Sequence, residues 1–404
     1  MRRHVRWRLH IAELGGSHQE EERRMRSKTN DISRLASSLV AAVVIVLPLL
    51  SCRDQTSQPK VQSAPMVSVD KDGTVHLPAF EVPLSSYMSE QAKQAYIDQA
   101  LQPPLVMDPR VPISKAREVV DNYYRPLVER GKGLYPVNIE EQKFAGVRTD
   151  VVTPKEGVSA RNRDRVLINL HGGGFSVGAG LGGLAESIPI ASVGKFKVIT
   201  VDYRMAPEYE FPAASEDVAA VYKELLKQYK PGNIGIYGCS AGGVLTAEAV
   251  AWFQKEKLPR PGAIGIFCAG ASGSPGGDAR YISAPLSAIV MSGLVSPPPA
   301  KPNPPPIPLG YFSNANLTDP LVSPVGSPAV LAKFPPTLVV TGTRDLALSW
   351  AAHTHTQLVK AEVEADLHVW EGMWHNFLFE MNLPESKEAY DVIVKFFDKH
   401  LGNK

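Results

Sequence analysis

The sequence is poor in cysteine and lacks common signatures of metal and nucleotide sites. Only Cys52, Cys239 and Cys268 occur among the 404 residues, which is too few for a disulfide framework. The patterns HExxH, CxxC and GxxxxGKS/T are also missing. The sequence therefore implies no metal ion and no organic cofactor.

Excess charge and internal repeats are missing as well. The formal net charge is +2, with 21% charged and 44% hydrophobic residues, as in an ordinary globular protein with a large core. This balance gives no reason to expect nucleic acid as a partner. No fixed period indicates a repeat architecture.

The N-terminal region is typical of an export signal. Residues 35–50 form an apolar run behind basic residues such as Arg26, and the run is shorter than the roughly 20 residues of a membrane-spanning helix. Cys52 follows the run, as the lipidated cysteine does in a bacterial lipobox. An uncleaved anchor and an ordinary cleaved signal are alternatives. We interpret residues 1–65 as signal peptide and polar tether, with Met25 as a second candidate start, and expect a lipid-anchored protein of the cell envelope, periplasmic or on the outer surface.

From Val147 the chain alternates short apolar runs with helical patterns. Runs such as 165–170, 197–203 and 337–342 predict strands, and stretches such as 216–229 and 245–257 predict helices between them. Strands that alternate with helices predict an α/β fold, in which a mostly parallel sheet has helices on both faces.

Two glycine-rich motifs follow predicted strands. The sequence His171-Gly172-Gly173-Gly174 leaves backbone N–H groups unobstructed, and such groups can hold a developing oxyanion. The sequence Gly238-Cys239-Ser240-Ala241-Gly242 is a G-x-S-x-G motif between a strand and a helix, as in a nucleophile elbow. This context favours Ser240 as a nucleophile.

A serine nucleophile needs a base, and the base needs a carboxylate that orients it. In α/β-hydrolases the chain order is serine, acid, histidine. His375 lies between a predicted strand and the last predicted helix, and Asp345 lies just beyond another strand. The pattern predicts a triad of Ser240, Asp345 and His375, with Asp319 as the rival acid.

Five ordered motifs carry a family resemblance. From about Asn169 to His375 the chain resembles the hormone-sensitive-lipase-like group of α/β-hydrolase esterases in HGGGF, DYRMAPEYEFPAASEDV, GCSAGG, DPLVSP and GMWHNF. Two positions depart from the pattern of that group. Cys239 stands where the group often has Asp, and Ser349 stands where it often has an acid.

The resemblance implies a serine carboxylic-ester hydrolase with an α/β-hydrolase fold. The catalytic domain would cover residues 66–404, with a mobile helical cap at about 66–135 and 271–318. The implied oxyanion hole consists of the N–H groups of Gly172, Gly173 and Ala241. We expect an acyl-enzyme reaction on short- to medium-chain esters, with a small-molecule ester as partner.

Two other functions are compatible with this fold. A ligand-binding protein that has lost catalysis would share it, but retention of the complete Ser240, Asp345 and His375 set speaks against that function. An amidase or peptidase would use the same triad chemistry, so the sequence leaves this alternative open.

The interpretation of the N-terminal region predicts a labelling difference at Cys52. Cells that produce the full chain with labelled palmitate should label the wild type but not Cys52→Ser, because that cysteine would carry the acyl chains. Each buried methylene of such a chain contributes roughly 0.8 kcal/mol of membrane affinity. Equal labelling of both proteins, or of neither, would contradict lipidation at Cys52.

Overall fold

The computed structural model describes residues 67–102, 111–290 and 310–402. The predicted signal, tether and lipidation site at Cys52 lie outside these residues. In the three described ranges, no helix combines the length and hydropathy needed to cross a membrane.

The described residues contain ten strands and ten α-helices. The strands are β1 (Ser68–Val69), β2 (Val75–His76), β3 (Val137–Phe144), β4 (Val147–Pro154), β5 (Val166–Leu170), β6 (Lys197–Val201), β7 (Ile234–Cys239), β8 (Ala263–Phe267), β9 (Thr337–Arg344) and β10 (Ala365–Trp374). The helices are α1 (Glu90–Ala100), α2 (Ile113–Leu134), α3 (Leu181–Gly194), α4 (Ala213–Leu225), α5 (Ala241–Lys255), α6 (Ala279–Ile282), α7 (Ala284–Val290), α8 (Pro328–Leu331), α9 (Leu348–Lys360) and α10 (Pro384–His400).

Eight of the strands form one sheet in the order β10-β9-β8-β7-β5-β6-β4-β3. Strand β4 pairs antiparallel with β6 and β3, and all other neighbours are parallel. Parallel neighbours require crossover connections, which the intervening helices provide. Strands β1 and β2 form a separate antiparallel pair. The predicted α/β fold with a mostly parallel sheet is confirmed.

Helices cover both faces of this sheet. Along β5, Ile168 and Leu170 belong to one buried cluster and Leu167 to the other, because successive strand side chains point to opposite faces. Helices α4 and α5 contribute to the first cluster, and α3 and α10 contribute to the second. Burial on both faces explains why the central strands are continuous apolar runs.

Helix α2 packs against α3 through an apolar side. The Tyr124 ring lies 3.3 Å from the place that a methyl group on Gly182 would take, so glycine allows the two helices to approach closely. The helix continues past Gly131 to Leu134. A methyl group at Gly131 would lie 2.6 Å from the sulfur of Met381, so this glycine provides a close contact within the helix.

The two predicted cap stretches touch each other in the structure. The Tyr96 hydroxyl of α1 donates to the Leu286 carbonyl of α7 at 2.9 Å. Helix α1, which precedes the sheet, and helix α7, which follows β8, are therefore in contact.

Gly242 provides a test of the packing between α5 and β5. A methyl group at Gly242 would lie 1.7 Å from the Leu170 carbonyl oxygen. Gly242→Ala should therefore lower the free energy of unfolding by about 3 kcal/mol or more, measured by urea denaturation.

Gly133→Ala is the matched control for this substitution. Gly133 is exposed in α2, and an added methyl group would have no neighbour within 4 Å. The better helix propensity of alanine should raise the stability by up to about 1 kcal/mol. Similar losses in both variants would contradict the packing argument.

Candidate active site

Ser240 occupies the sharp turn between β7 and α5. Its backbone has φ 57° and ψ −122°, a conformation that residues with a side chain rarely adopt. The Ser240 N–H donates to the Phe267 carbonyl at 2.8 Å, and the side chain makes no capping bond to the helix. The hydroxyl at the C-terminal edge of the sheet is therefore available to another partner.

His375 and Asp345 complete a hydrogen-bonded chain with Ser240. His375 Nε2 lies 3.0 Å from Ser240 Oγ, and His375 Nδ1 lies 2.7 Å from Asp345 Oδ1. An ionised carboxylate can only accept, so Nδ1 carries the hydrogen and Nε2 accepts from the serine hydroxyl. The structure thus brings together the three residues that the sequence pattern selected.

Asp345 is fully buried at the end of β9 and has several donors. Oδ1 also accepts from the Ala347 N–H at 2.8 Å, and Oδ2 accepts from the Thr341 hydroxyl at 3.0 Å. Burial alone would raise the pKa of Asp345. The neighbouring His375 and the hydrogen bonds from His375, Ala347 and Thr341 outweigh burial and hold the pKa below its ordinary value. The carboxylate therefore stays ionised near neutral pH.

The rival acid Asp319 has a different role in the structure. Its carboxylate accepts from the Leu321 N–H at 2.9 Å. Its backbone carbonyl accepts from Val322 and Ser323. Asp319 thus orders its own loop.

Helix α7 contacts the backbone of the histidine. Ser287 Oγ accepts from the His375 N–H at 3.3 Å and donates to the Arg344 carbonyl at 2.5 Å. The Tyr96 ring packs against the guanidinium of Arg344 at 4.8 Å. Both predicted cap stretches therefore contact the segments that carry the acid and the histidine.

The glycine loop after β5 is a tight turn beside a buried imidazole. The His171 ring stacks on the Tyr203 ring with centroids 4.2 Å apart, and the Tyr203 hydroxyl donates to the His171 carbonyl at 2.7 Å. Gly173 has φ +108°, and a methyl group there would lie 2.2 Å from the Val177 carbonyl oxygen. In the described part of the chain, the N–H groups of Gly173 and Gly174 have no protein acceptor.

The predicted role of Gly172 in the oxyanion hole requires correction. Its N–H already donates to Glu186 Oε1 at 2.9 Å, inside the protein. A donor that is bound to a buried carboxylate is not free for a developing oxyanion. Gly173 and Ala241, the other two predicted donors, carry no such bond.

Glu186 contacts the backbone of both motifs at the site, and the sequence pattern did not single it out. It lies in the middle of α3, and no known motif marks it. The signal that could have found it is composition, because Glu186 is the only charged residue among the fourteen of α3. Burial raises the pKa of Glu186 to about 8, against the opposing effect of hydrogen bonds from Asn169, Gly172 and Cys239.

Two buried thiols lie beside the triad. Cys239 Sγ donates to Asn376 Oδ1 at 2.9 Å, and burial raises the pKa of both Cys239 and Cys268. The ligand atoms of Cys268, Asp345 and His375 lie within 4.8 Å of one another, a spacing that could hold a metal ion. Asp345 and His375 are already bonded to each other and the thiol is protonated, so this cluster belongs to the triad.

Sheet order, elbow and hydrogen-bonded triad together define an α/β-hydrolase. Residues 167–379 match the family model described as alpha/beta hydrolase fold. An esterase of Acinetobacter venetianus is 28% identical over 285 residues, which are 68% of this chain and 88% of the relative. An acetyl-hydrolase of Streptomyces hygroscopicus is 27% identical over 252 residues, 60% of this chain and 78% of the relative.

A solved structure narrows the family further. The crystal structure of an esterase from the bacterial hormone-sensitive lipase family has a TM-score of 0.62 and 27% identity, and the match covers 78% of this chain and 98% of that one. The chain belongs to the hormone-sensitive-lipase-like family of α/β-hydrolase esterases. It is an ester hydrolase of the carboxylesterase type.

The two candidate acids can be separated by substitution. Asp345→Asn should lower kcat for ester hydrolysis by about 10⁴-fold, because an amide favours the wrong tautomer of His375. Asp319→Asn is the matched control and should keep kcat near that of the wild type. Steady-state kinetics with a p-nitrophenyl ester measures both, and the reverse ranking would assign the acid to Asp319.

Proposed function

We propose that this protein is a serine carboxylesterase that forms an acyl-enzyme on Ser240 and prefers short- to medium-chain esters. The observation that carries the proposal is the continuous chain of hydrogen bonds from Ser240 Oγ through His375 to Asp345, at 3.0 and 2.7 Å. A nucleophile, its base and the group that orients the base are thus in reach of one another before substrate binds.

The geometry supports a two-step reaction. Ser240 Oγ attacks the ester carbonyl carbon while His375 Nε2 takes its proton, and Asp345 stabilises the imidazolium that forms. His375 then returns the proton to the leaving alcohol, which departs as the acyl-enzyme forms. Water repeats the sequence on the acyl-enzyme, releases the carboxylic acid and restores the Ser240 hydroxyl.

We assign the oxyanion hole to the N–H groups of Gly173, Gly174 and Ala241. The Ala241 N–H is in the first turn of α5, where helical N–H groups have no partner within the helix and the helix dipole favours negative charge. The glycine loop lies against the nucleophile, because a methyl group on Gly172 would be 3.4 Å from Ser240 Cβ. Each donor of this kind lowers the barrier by about 3 kcal/mol.

Chain-length preference is the finer part of the proposal. We assign the cap to the described parts of 66–135 and 271–318. Helices α1 and α7 contact each other and the segments around Arg344 and His375. Because helices α1 and α7 pack close to the triad, they limit the space for the acyl group, which favours short chains. The name acetyl-hydrolase, carried by the Streptomyces hygroscopicus relative, supports the same preference.

Ser240→Ala tests the acyl-enzyme. With p-nitrophenyl acetate and butyrate, this variant should lose about 10⁵-fold or more in kcat, because no other group can take the acyl chain. A fluorophosphonate probe should label the wild type and not the variant. Ser313→Ala, at an exposed serine, is the control and should behave as the wild type. Activity near wild type in Ser240→Ala would end the serine-esterase assignment.

The same assay separates the alternative functions. A non-catalytic binding protein would take no fluorophosphonate label, and an amidase would also cleave the matched p-nitroanilide. Because the ester is intrinsically more reactive than the anilide, the anilide rate itself decides, and we expect no anilide cleavage above that of Ser240→Ala. We also expect cleavage of the acetate and butyrate in preference to the palmitate. Preference for palmitate would contradict the proposed chain length and leave the triad assignment intact.

A further inference from the structure

One buried carboxylate joins the backbones of the two loops that meet at the nucleophile. Glu186 Oε1 accepts from the Gly172 N–H at 2.9 Å, and Oε2 accepts from the Cys239 N–H at 3.2 Å. Gly172 begins the glycine loop, and Cys239 directly precedes Ser240. Glu186 is 8% exposed as a residue and belongs to neither loop.

The end of a strand explains why an acceptor is needed at this place. The pairing of β5 with β7 ends at Leu170 and Gly238, so Cys239 has no partner residue in β5. The next N–H, that of Ser240, donates to Phe267 on the opposite side. Since neighbouring N–H groups of a strand point to opposite sides, the Cys239 N–H points toward the gap where β5 has ended. Glu186 fills this gap and supplies the acceptor.

The carboxylate is itself held in place. Asn169 Nδ2 donates to Glu186 Oε2 at 2.9 Å, and Asn169 Oδ1 accepts from the Thr200 hydroxyl at 2.6 Å. Gly183, one turn before Glu186, lies so close to Thr200 that an added methyl group would be 2.7 Å from its Cγ2. Helix α3 is therefore in close contact with β5 and β6, and Glu186 has little freedom to move.

We propose that Glu186 is a positioning residue, which sets the distance between the glycine loop and Ser240 and thereby aligns the oxyanion donors. The inference rests on the proposed function, because it assumes that Gly173 and Gly174 donate to the oxyanion. Glu186 touches no substrate in this assignment. It acts through the Gly172 and Cys239 backbones on either side of the reacting carbonyl.

Glu186→Gln is the informative substitution because it keeps size and shape. At pH 9, above the pKa of Glu186, the carboxylate is ionised and accepts from three N–H donors, whereas an amide offers one acceptor oxygen and one donor group. The variant and the wild type are therefore compared at pH 9. If the amide oxygen faces Cys239 and Asn169, the amide NH₂ faces the Gly172 N–H, and two donors oppose each other. The variant therefore releases the glycine loop and keeps the elbow in place.

The expected result is a loss in kcat with little change in KM. Displacement of the N–H groups that stabilise the oxyanion in the transition state should lower kcat per active site by about tenfold or more. KM should change by less than about threefold. Fluorophosphonate titration counts the competent sites, so partial misfolding does not enter kcat. The Ki of a trifluoromethyl ketone should rise in parallel with the loss in kcat/KM, because its adduct with Ser240 carries the same oxyanion.

Glu248→Gln is the matched control. Glu248 is a second fully buried glutamate, on α5, and neither of its carboxylate oxygens has a partner in the described ranges. Burial raises its pKa well above the ordinary value, so the neutral amide resembles the neutral acid that it replaces. This variant should keep kcat, KM and Ki of the wild type.

Three outcomes decide the inference. A kcat in Glu186→Gln equal to that of the wild type overturns it, as does a lower melting temperature with kcat and Ki unchanged, which is the signature of a purely structural acid. If Glu186→Gln gives no folded protein, the same measurements are made on Glu186→Asp. This variant keeps the charge, but its shorter side chain moves the carboxylate away from the Gly172 and Cys239 N–H groups. Failure of the proposed function looks different, since the wild type itself would then neither hydrolyse esters nor take the fluorophosphonate label.

Discussion

The active site depends on the close approach of the nucleophile elbow to the end of β5. Methyl groups at Gly238 and Gly242 would lie 2.2 and 1.7 Å from the Leu170 carbonyl oxygen, so side chains at these positions would separate the elbow from the sheet. With glycine at both, Ser240 can hold φ 57° at the edge of the sheet and at the first turn of α5. His375 and the glycine loop must both be positioned relative to Ser240 at this turn.

Three buried acids of the described chain have three different environments. Asp345 accepts several hydrogen bonds and faces His375, whose imidazolium form is a cation. These contacts outweigh burial and lower the pKa of Asp345, so it remains an anion. Glu186 has only N–H donors, and burial dominates, which raises its pKa to about 8. Glu248 has no hydrogen-bond partner in the described part of the chain, and burial raises its pKa well above the ordinary value. Burial alone therefore does not identify a catalytic acid, because the partners decide its charge.

The triad could be predicted from the sequence because each member follows a strand in a recognisable local context. Gly172 was assigned wrongly because its partner, Glu186, lies on a helix, and no local pattern connects the two. Strand β3 was not predicted, since the run VNIEEQKF is mostly polar and only half-buried at the edge of the sheet. Local motifs thus specify which side chains react. Tertiary contacts determine which backbone N–H groups remain free to donate to the oxyanion.

Cys239 illustrates how a departure from the family pattern is accommodated. Its N–H donates to the Glu186 carboxylate, and its thiol donates to Asn376 Oδ1, next to His375. Burial raises the pKa of the thiol, with further contributions from Cys268 and Glu186, so Cys239 stays neutral. A second carboxylate at position 239 would place two acids in one buried site, where like charges cannot both ionise at low cost. A neutral residue at 239 and an acid at 186 are therefore mutually consistent, and the acid that binds the elbow backbone in this protein comes from α3.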